Sequence, residues 1–252
     1  MYIRERDFLI TLISYVRNPS KRKLIKISRM FRGKNGLEIG GPSSLFSLKG
    51  YFPVYLFANR IDGVNFSEST AWEGKISEGR NYSYYNKTGY QYIKEATDLT
   101  GIANESYDFI LSCHSLEHVA NPLKAIAEWE RVLKPGGYFV LVLPDKRYTF
   151  DVNRPYTAMS HLLDDYKKDV NESDDTHFNE IIALHDIKRD DKLESTGMLE
   201  ERLKENSVYR YVHHHVFNFE LINQMLGYFS FKTIYQQEAA PFHLVSIAQK
   251  NI

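Results

Sequence analysis

Apolar positions in this chain gather into short runs that end at glycine or proline, with stretches of helical spacing between them. Gly36-Leu37-Glu38-Ile39-Gly40-Gly41-Pro42-Ser43 reads as a buried strand breaking into a glycine turn. Val54–Phe57 is a second short apolar run, standing where a second strand belongs, and residues 90–96, ending at Asp98, read as a third. Tyr107–Cys113 is a fourth strand. Asn121 then offers a helix cap and Pro122 a first helical residue, after which Leu123, Ile126, Trp129 and Leu133 draw one apolar stripe. Pro135-Gly136-Gly137 ends that helix, and residues 138–143 form a fifth strand closed by Pro144. Strands and helices alternating at this spacing predict parallel βαβ units in a doubly wound α/β sheet. Beyond a helix from 219 to about 229, residues 231–235 and 243–248 are strands too close for a crossover, so they pair as an antiparallel hairpin.

Residues 151–212 break this rhythm. The stretch exceeds a standard crossover and is acidic, with 15 Asp/Glu against 9 Lys/Arg. Such length within one domain marks a functional insertion, here following the fifth strand and so expected over the carboxyl edge of the sheet. Lys146, Arg147 and Arg154 at its mouth suit a carboxylate or phosphate on a bound acceptor; neutralising the acidic insertion is the alternative.

Formal net charge is zero, which gives a nucleic-acid partner no support. Cys113 is the single cysteine, so no internal disulfide forms and a reducing, cytoplasmic setting fits. The apolar stretch 8–16 is too short to span a bilayer, and Glu5 and Asp7 precede it, unlike a secretory leader. Residues 1–34 are nonetheless basic, carrying Arg4, Arg6, Arg17, Lys21, Arg22, Lys23, Lys26, Arg29, Arg32 and Lys34. They read as a helical cap on residues 35–252, or as a basic amphipathic surface in weak contact with an anionic membrane.

The glycine turn has a chemical purpose: glycines admit a ligand close to the backbone, and an acid at the strand end accepts from it. All nine histidines lie at or after position 114. His114, Glu117 and His118 stand at helical spacing, suited to general base work or to a divalent metal.

These residues carry a resemblance. Leu37-Glu38-Ile39-Gly40-Gly41, Asp98-Leu99, Tyr107-Asp108-Phe109-Ile110, Leu116-Glu117-His118-Val119 and Arg131-Val132-Leu133-Lys134-Pro135-Gly136-Gly137 are similar to the class I S-adenosylmethionine (SAM)-dependent methyltransferases, in particular the type 11 branch. The resemblance covers roughly residues 35–145 and the C-terminal hairpin. It implies a Rossmann-like, mostly parallel seven-stranded sheet with SAM as cofactor. Glu38, Gly40 and Gly41 would line its methionine part, Asp98 and Leu99 its adenine, with Cys113 and His114 beside it. The acidic residue that family places after the second strand, for the ribose, falls here on Asn59 or Asp62. A Glu-x-x-Glu-His segment holds a metal in some relatives, which makes His114, Glu117 and His118 an optional metal set. The expected reaction is O-methylation of a sugar, glycan or other polar small molecule, with His118 as base and Glu117 orienting it. Lys146, Arg147, Arg154, His161 and His215 would face the acceptor. N-methylation of an amine or amino-sugar, and SAM binding without catalysis, are the alternatives.

Overall fold

The computed structural model describes residues 19–70 and 72–252, together with Leu9, Leu12, Ile13 and Val16. The first helix of regular length among them, α1 (Arg22–Ser28), buries Leu24 and Ile25 and leads to strand β1 (Asn35–Ile39). A single helical turn, α2 (Val54–Phe57), precedes β2 (Arg60–Asn65). Two short strands, β3 (Ser69–Thr70) and β4 (Gly74–Lys75), form their own ladder, and β5 (Gly79–Tyr84) and β6 (Lys87–Ile93) form a hairpin. Next come β7 (Tyr107–Cys113), helix α3 (Pro122–Val132) and β8 (Leu133–Pro144). The insertion holds α4 (Met159–Lys168), α5 (Phe178–Leu184), α6 (Thr196–Lys204) and α7 (Asn206–Tyr209). Helix α8 (Phe219–Tyr228) precedes the final hairpin, β9 (Phe231–Ala239) and β10 (His243–Lys250).

The main sheet has 8 strands in the order β5-β6-β2-β1-β7-β8-β10-β9. Its centre, β6 to β8, is parallel, and each edge is an antiparallel hairpin. The strand beyond the expected seven is β5, where Tyr82 and Tyr84 alternate with exposed polar residues. Both faces of the centre are buried, as parallel sheets require. On β8, Phe139, Leu141 and Leu143 join the core formed with α3 and α8, while Val140 and Val142 join the core on the opposite face.

Val54–Phe57 is helical rather than a strand. Pro53 precedes it and all four of its residues are buried, so nothing in the run distinguished the two. The second strand instead begins at Arg60, a shift that moves one of the expected site positions.

Among the described N-terminal residues, Phe31 packs edge-on against Phe52 and Phe109. Lys21, Lys23, Lys34 and Arg32 lie over Tyr51, Tyr235, Tyr138 and Phe57, so these cations rest on aromatic faces of the domain. Arg4, Arg6 and Arg17 lie outside the described residues. No described helix is long and apolar enough to cross a membrane.

Candidate active site

Chain order reverses at β1, with β2 on one side and β7 on the other, and in open α/β sheets ligands bind at such a point beyond the strand ends. Gly40 sits there at φ +76°, a conformation natural to glycine, and its N–H donates to the Val64 carbonyl at 2.8 Å. A Cβ on Gly40 would stand 2.2 Å from Ser115 Oγ, the hydroxyl that donates to the Ile39 carbonyl at 3.0 Å. Glu38 lies beneath this turn, fully buried. It accepts from Tyr55 and Tyr82 hydroxyls, each at 2.7 Å, and from the Ser43 N–H at 2.9 Å. Burial, only partly offset by these bonds, raises its pKa to about 7. Glu38 therefore shapes the turn from below. A Cβ on Gly41 would strike that same carboxyl group, so Gly41 serves the packing of the turn.

Above the turn opens a cleft. Ile39 and Gly40 from β1, Val64 and Asn65 from β2, Glu95 and Ala96 beyond β6, and Ser115, His118 and Val119 beyond β7 line it. Phe66 and Trp72 form an aromatic side, and Glu172 and Arg210 reach in from the insertion. Arg210 bridges Glu95 at 2.7 Å and also pairs with Glu172.

Several expected site residues lie elsewhere. Asn59 precedes β2, exposed, and donates to Asn35 at 2.8 Å. Asp62 is buried within β2, where its carboxylate accepts from Tyr107 at 2.9 Å and the Tyr90 N–H at 2.8 Å. The residue that ends β2 is Asn65. Its Nδ2 donates to the Gly41 carbonyl at 3.0 Å, while Oδ1 is buried without a hydrogen-bond partner. Asp98 is exposed and caps its own turn through Thr100, and Leu99 is wholly buried in the core, so Glu95 and Ala96 stand where these two were expected. Cys113 is half-buried with its thiol pKa pushed up by burial.

His114, at φ +52°, turns away from the cleft: its Nε2 is 2.7 Å from His243 Nδ1 and its Nδ1 is 3.4 Å from Glu117. The ligand atoms that converge within 4.8 Å are those of Glu117, His118 and His213, so His213 takes the place expected of His114. Glu117 is fully buried with no hydrogen-bond partner on either oxygen. Burial raises its pKa, but the rings of His114, His118 and His213 outweigh this and leave it lowered. His118 lies 2.9 Å through Nδ1 from the Val212 carbonyl. A carbonyl only accepts, so Nδ1 carries the proton and Nε2 keeps a lone pair. Burial, assisted by repulsion from His213, lowers the His118 pKa to about 4, so the ring is neutral near pH 7.

Residues 49–141, which begin downstream of the glycine turn and end within β8, match the methyltransferase domain family. Among solved structures the chain is similar to an S-adenosylmethionine dependent methyltransferase from Mesorhizobium loti, at 12% identity and a TM-score of 0.51, covering 92% of this chain and 96% of that one. It is also similar to a SAM-dependent methyltransferase from Methanosarcina mazei, at 18% identity and a TM-score of 0.49, covering 90% of this chain and 97% of that one. The match to the methyltransferase domain family covers residues 49–141, and the likeness to these solved structures is one of fold. No curated protein matches the chain.

The basic residues expected to face the acceptor are differently employed in this chain. Arg154 is 1% exposed, and its guanidinium donates to Asp151, Glu180 and the carbonyls of His213 and His214. It is a buried clip. Arg147 is held by Asp145 and Glu238. Lys146 donates to the Arg154 carbonyl and lies over Tyr156. His161, in the insertion, and His215, just after it, face each other away from the cleft lining.

Gly40→Val puts a branched side chain against Ser115 at a positive φ. It is expected to abolish S-adenosylhomocysteine binding in calorimetry, whereas Asp98→Ala, in an exposed turn, should bind within a few-fold of the parent. Loss of binding in Asp98→Ala would restore Asp98 to the site.

Proposed function

We propose that this methyltransferase methylates a hydroxyl group of a polar, sugar-like small molecule, with His118 as the general base. The observation that supports this is the His118 ring: neutral, oriented by the Val212 carbonyl, and lining the cleft with Nε2 free to accept.

The cleft residues suit SAM. The orphaned Oδ1 of Asn65 lacks a donor, which a ribose hydroxyl supplies, and Gly40 lines the cleft beside it. When bound, SAM supplies a methyl group on a sulfonium, open to in-line displacement without a covalent enzyme intermediate. The protein has then to hold the acceptor and take one proton. Trp72, 45% exposed, stacks near His118 at 6.2 Å between ring centroids and offers a flat apolar face to a sugar ring. His118 Nε2 accepts the hydroxyl proton, and the Glu117 carboxylate favours the imidazolium that results. A base this weak takes the proton only as the oxygen attacks, so the two motions are concerted.

An amine acceptor is served less well. A cation would look to Glu95 and Glu172, and Arg210 is already paired with both. Incubation with methyl-labelled SAM and paired acceptors, a sugar and its amino counterpart with blocked hydroxyls, tests the reading. Label on oxygen is expected; transfer confined to the amine would overturn it.

A further inference from the structure

A group of side chains in the insertion lies outside the catalytic cleft. His161 and Asp165 share one face of α4 at i and i+4, His177 precedes α5, and His215 follows the insertion. We propose that these four residues form a binding site for a divalent cation of the zinc class, held tetrahedrally.

The spacing is that of ligands around one ion. All four offer a ligand atom, and these atoms lie within 4.8 Å of one another. His161 Nε2 is 3.2 Å from His177 Nε2 and 3.2 Å from Asp165 Oδ2. Zinc bonds to nitrogen and oxygen of about 2.0–2.2 Å place tetrahedral ligand atoms roughly 3.3–3.5 Å apart. The His177 ring stands nearly perpendicular to the other two, at 83° to His161 and 82° to His215.

Hydrogen bonding leaves the group unsatisfied. Asp165 is buried, and its Oδ2 has no hydrogen-bond partner although His161 Nε2 is 3.2 Å and His215 Nε2 3.8 Å away. Neither ring nitrogen meets that oxygen with hydrogen-bond geometry. Between His161 and His177 one proton at most can sit, because two N–H groups facing each other repel. His215 Nε2 is 3.1 Å from the Ala120 carbonyl, the kind of backbone anchor that orients metal-bound imidazoles, and its Nδ1 is buried with no partner. Three imidazoles and one carboxylate are a zinc-type donor set. His161, with its side chain 42% exposed, stands at the solvent side, while the other three are buried. The ion would join α4, the segment before α5 and the segment entering α8, cross-linking the insertion at both of its ends.

The test uses the full chain, freed of metal by dialysis, then titrated with Zn²⁺ alone and, for a spectroscopic reading, Co²⁺ alone. Bound zinc is counted by elemental analysis after desalting. The expected result is retained zinc, with intense visible bands of tetrahedral cobalt. His161→Ala, at the solvent side, and Asp165→Asn should each weaken affinity by at least about tenfold, with unchanged far-ultraviolet circular dichroism. Glu117→Gln separates this site from the Glu117–His118–His213 cluster and should retain zinc. No uptake at tenfold excess zinc, or uptake lost in Glu117→Gln and kept in His161→Ala, would overturn the proposal.

Discussion

His118→Ala is expected to lower turnover by about 10²–10⁴, the usual contribution of a positioned base, while S-adenosylhomocysteine affinity stays within a few-fold. The split follows from placement: His118 lines the cleft from beyond β7, while the Gly40 turn and Asn65 line it from the ends of β1 and β2. A pH profile gives an independent reading. His118 accepts only when neutral, and its pKa is lowered to about 4 by burial and by His213. Activity should therefore persist below the ordinary histidine range near 6.5 and fall as pH drops through about 4, provided the fold is retained. The limb should be absent from His118→Ala. Normal turnover in that variant would remove His118 from the reaction and leave transfer to positioning alone.

Arg154→Ala is expected to destabilise the protein by about 3–5 kcal/mol, the range for breaking a buried ion pair from one side. Asp151 would lose one of its partners while remaining buried, and the carbonyls of His213 and His214 would lose their guanidinium donors. Arg154→Lys should recover only part of the loss, since one ammonium cannot reproduce the planar fork that reaches four acceptors. Urea unfolding followed by circular dichroism measures both. A change below about 1 kcal/mol for the alanine variant would show that the clip is dispensable, surface pairs being worth that little.

The parts of the fold legible in the sequence are those with a long or uninterrupted signal. Residues 109–113 hold five apolar or small residues in a row after Asp108, and α3 carries its stripe between Asn121 and Pro135. Four residues were too few for Val54–Phe57: a buried turn of helix and a buried strand present the same apolar run. That one ambiguity set the expected ribose position at Asn59 and Asp62, whereas the residue that ends β2 is Asn65. β5 was legible in principle, since Tyr82 and Tyr84 alternate with Asn81 and Ser83, a period of two. Glu38 shows a different limit. Its acidity at a strand end was visible, but the two tyrosines that claim it come from 17 and 44 residues away. The same holds for Arg147 and Arg154, whose charge is local while their partners are set by tertiary packing. Glu172 and Arg210 had no local signal at all; only closure of the insertion brings them over the cleft.

The bond between His118 Nδ1 and the Val212 carbonyl has a consequence for anyone redesigning this enzyme. Acceptor preference looks like the property of a detachable module, because residues 151–212 leave the sheet and return to it. Yet the carbonyl that decides which nitrogen of the base is free belongs to the last residue of that module. A chimera carrying a foreign loop would import a new acceptor wall and forfeit the proton placement of its own histidine. Under the function proposed here, loop exchange has to preserve the path of residues 212–215 or rebuild the base along with it.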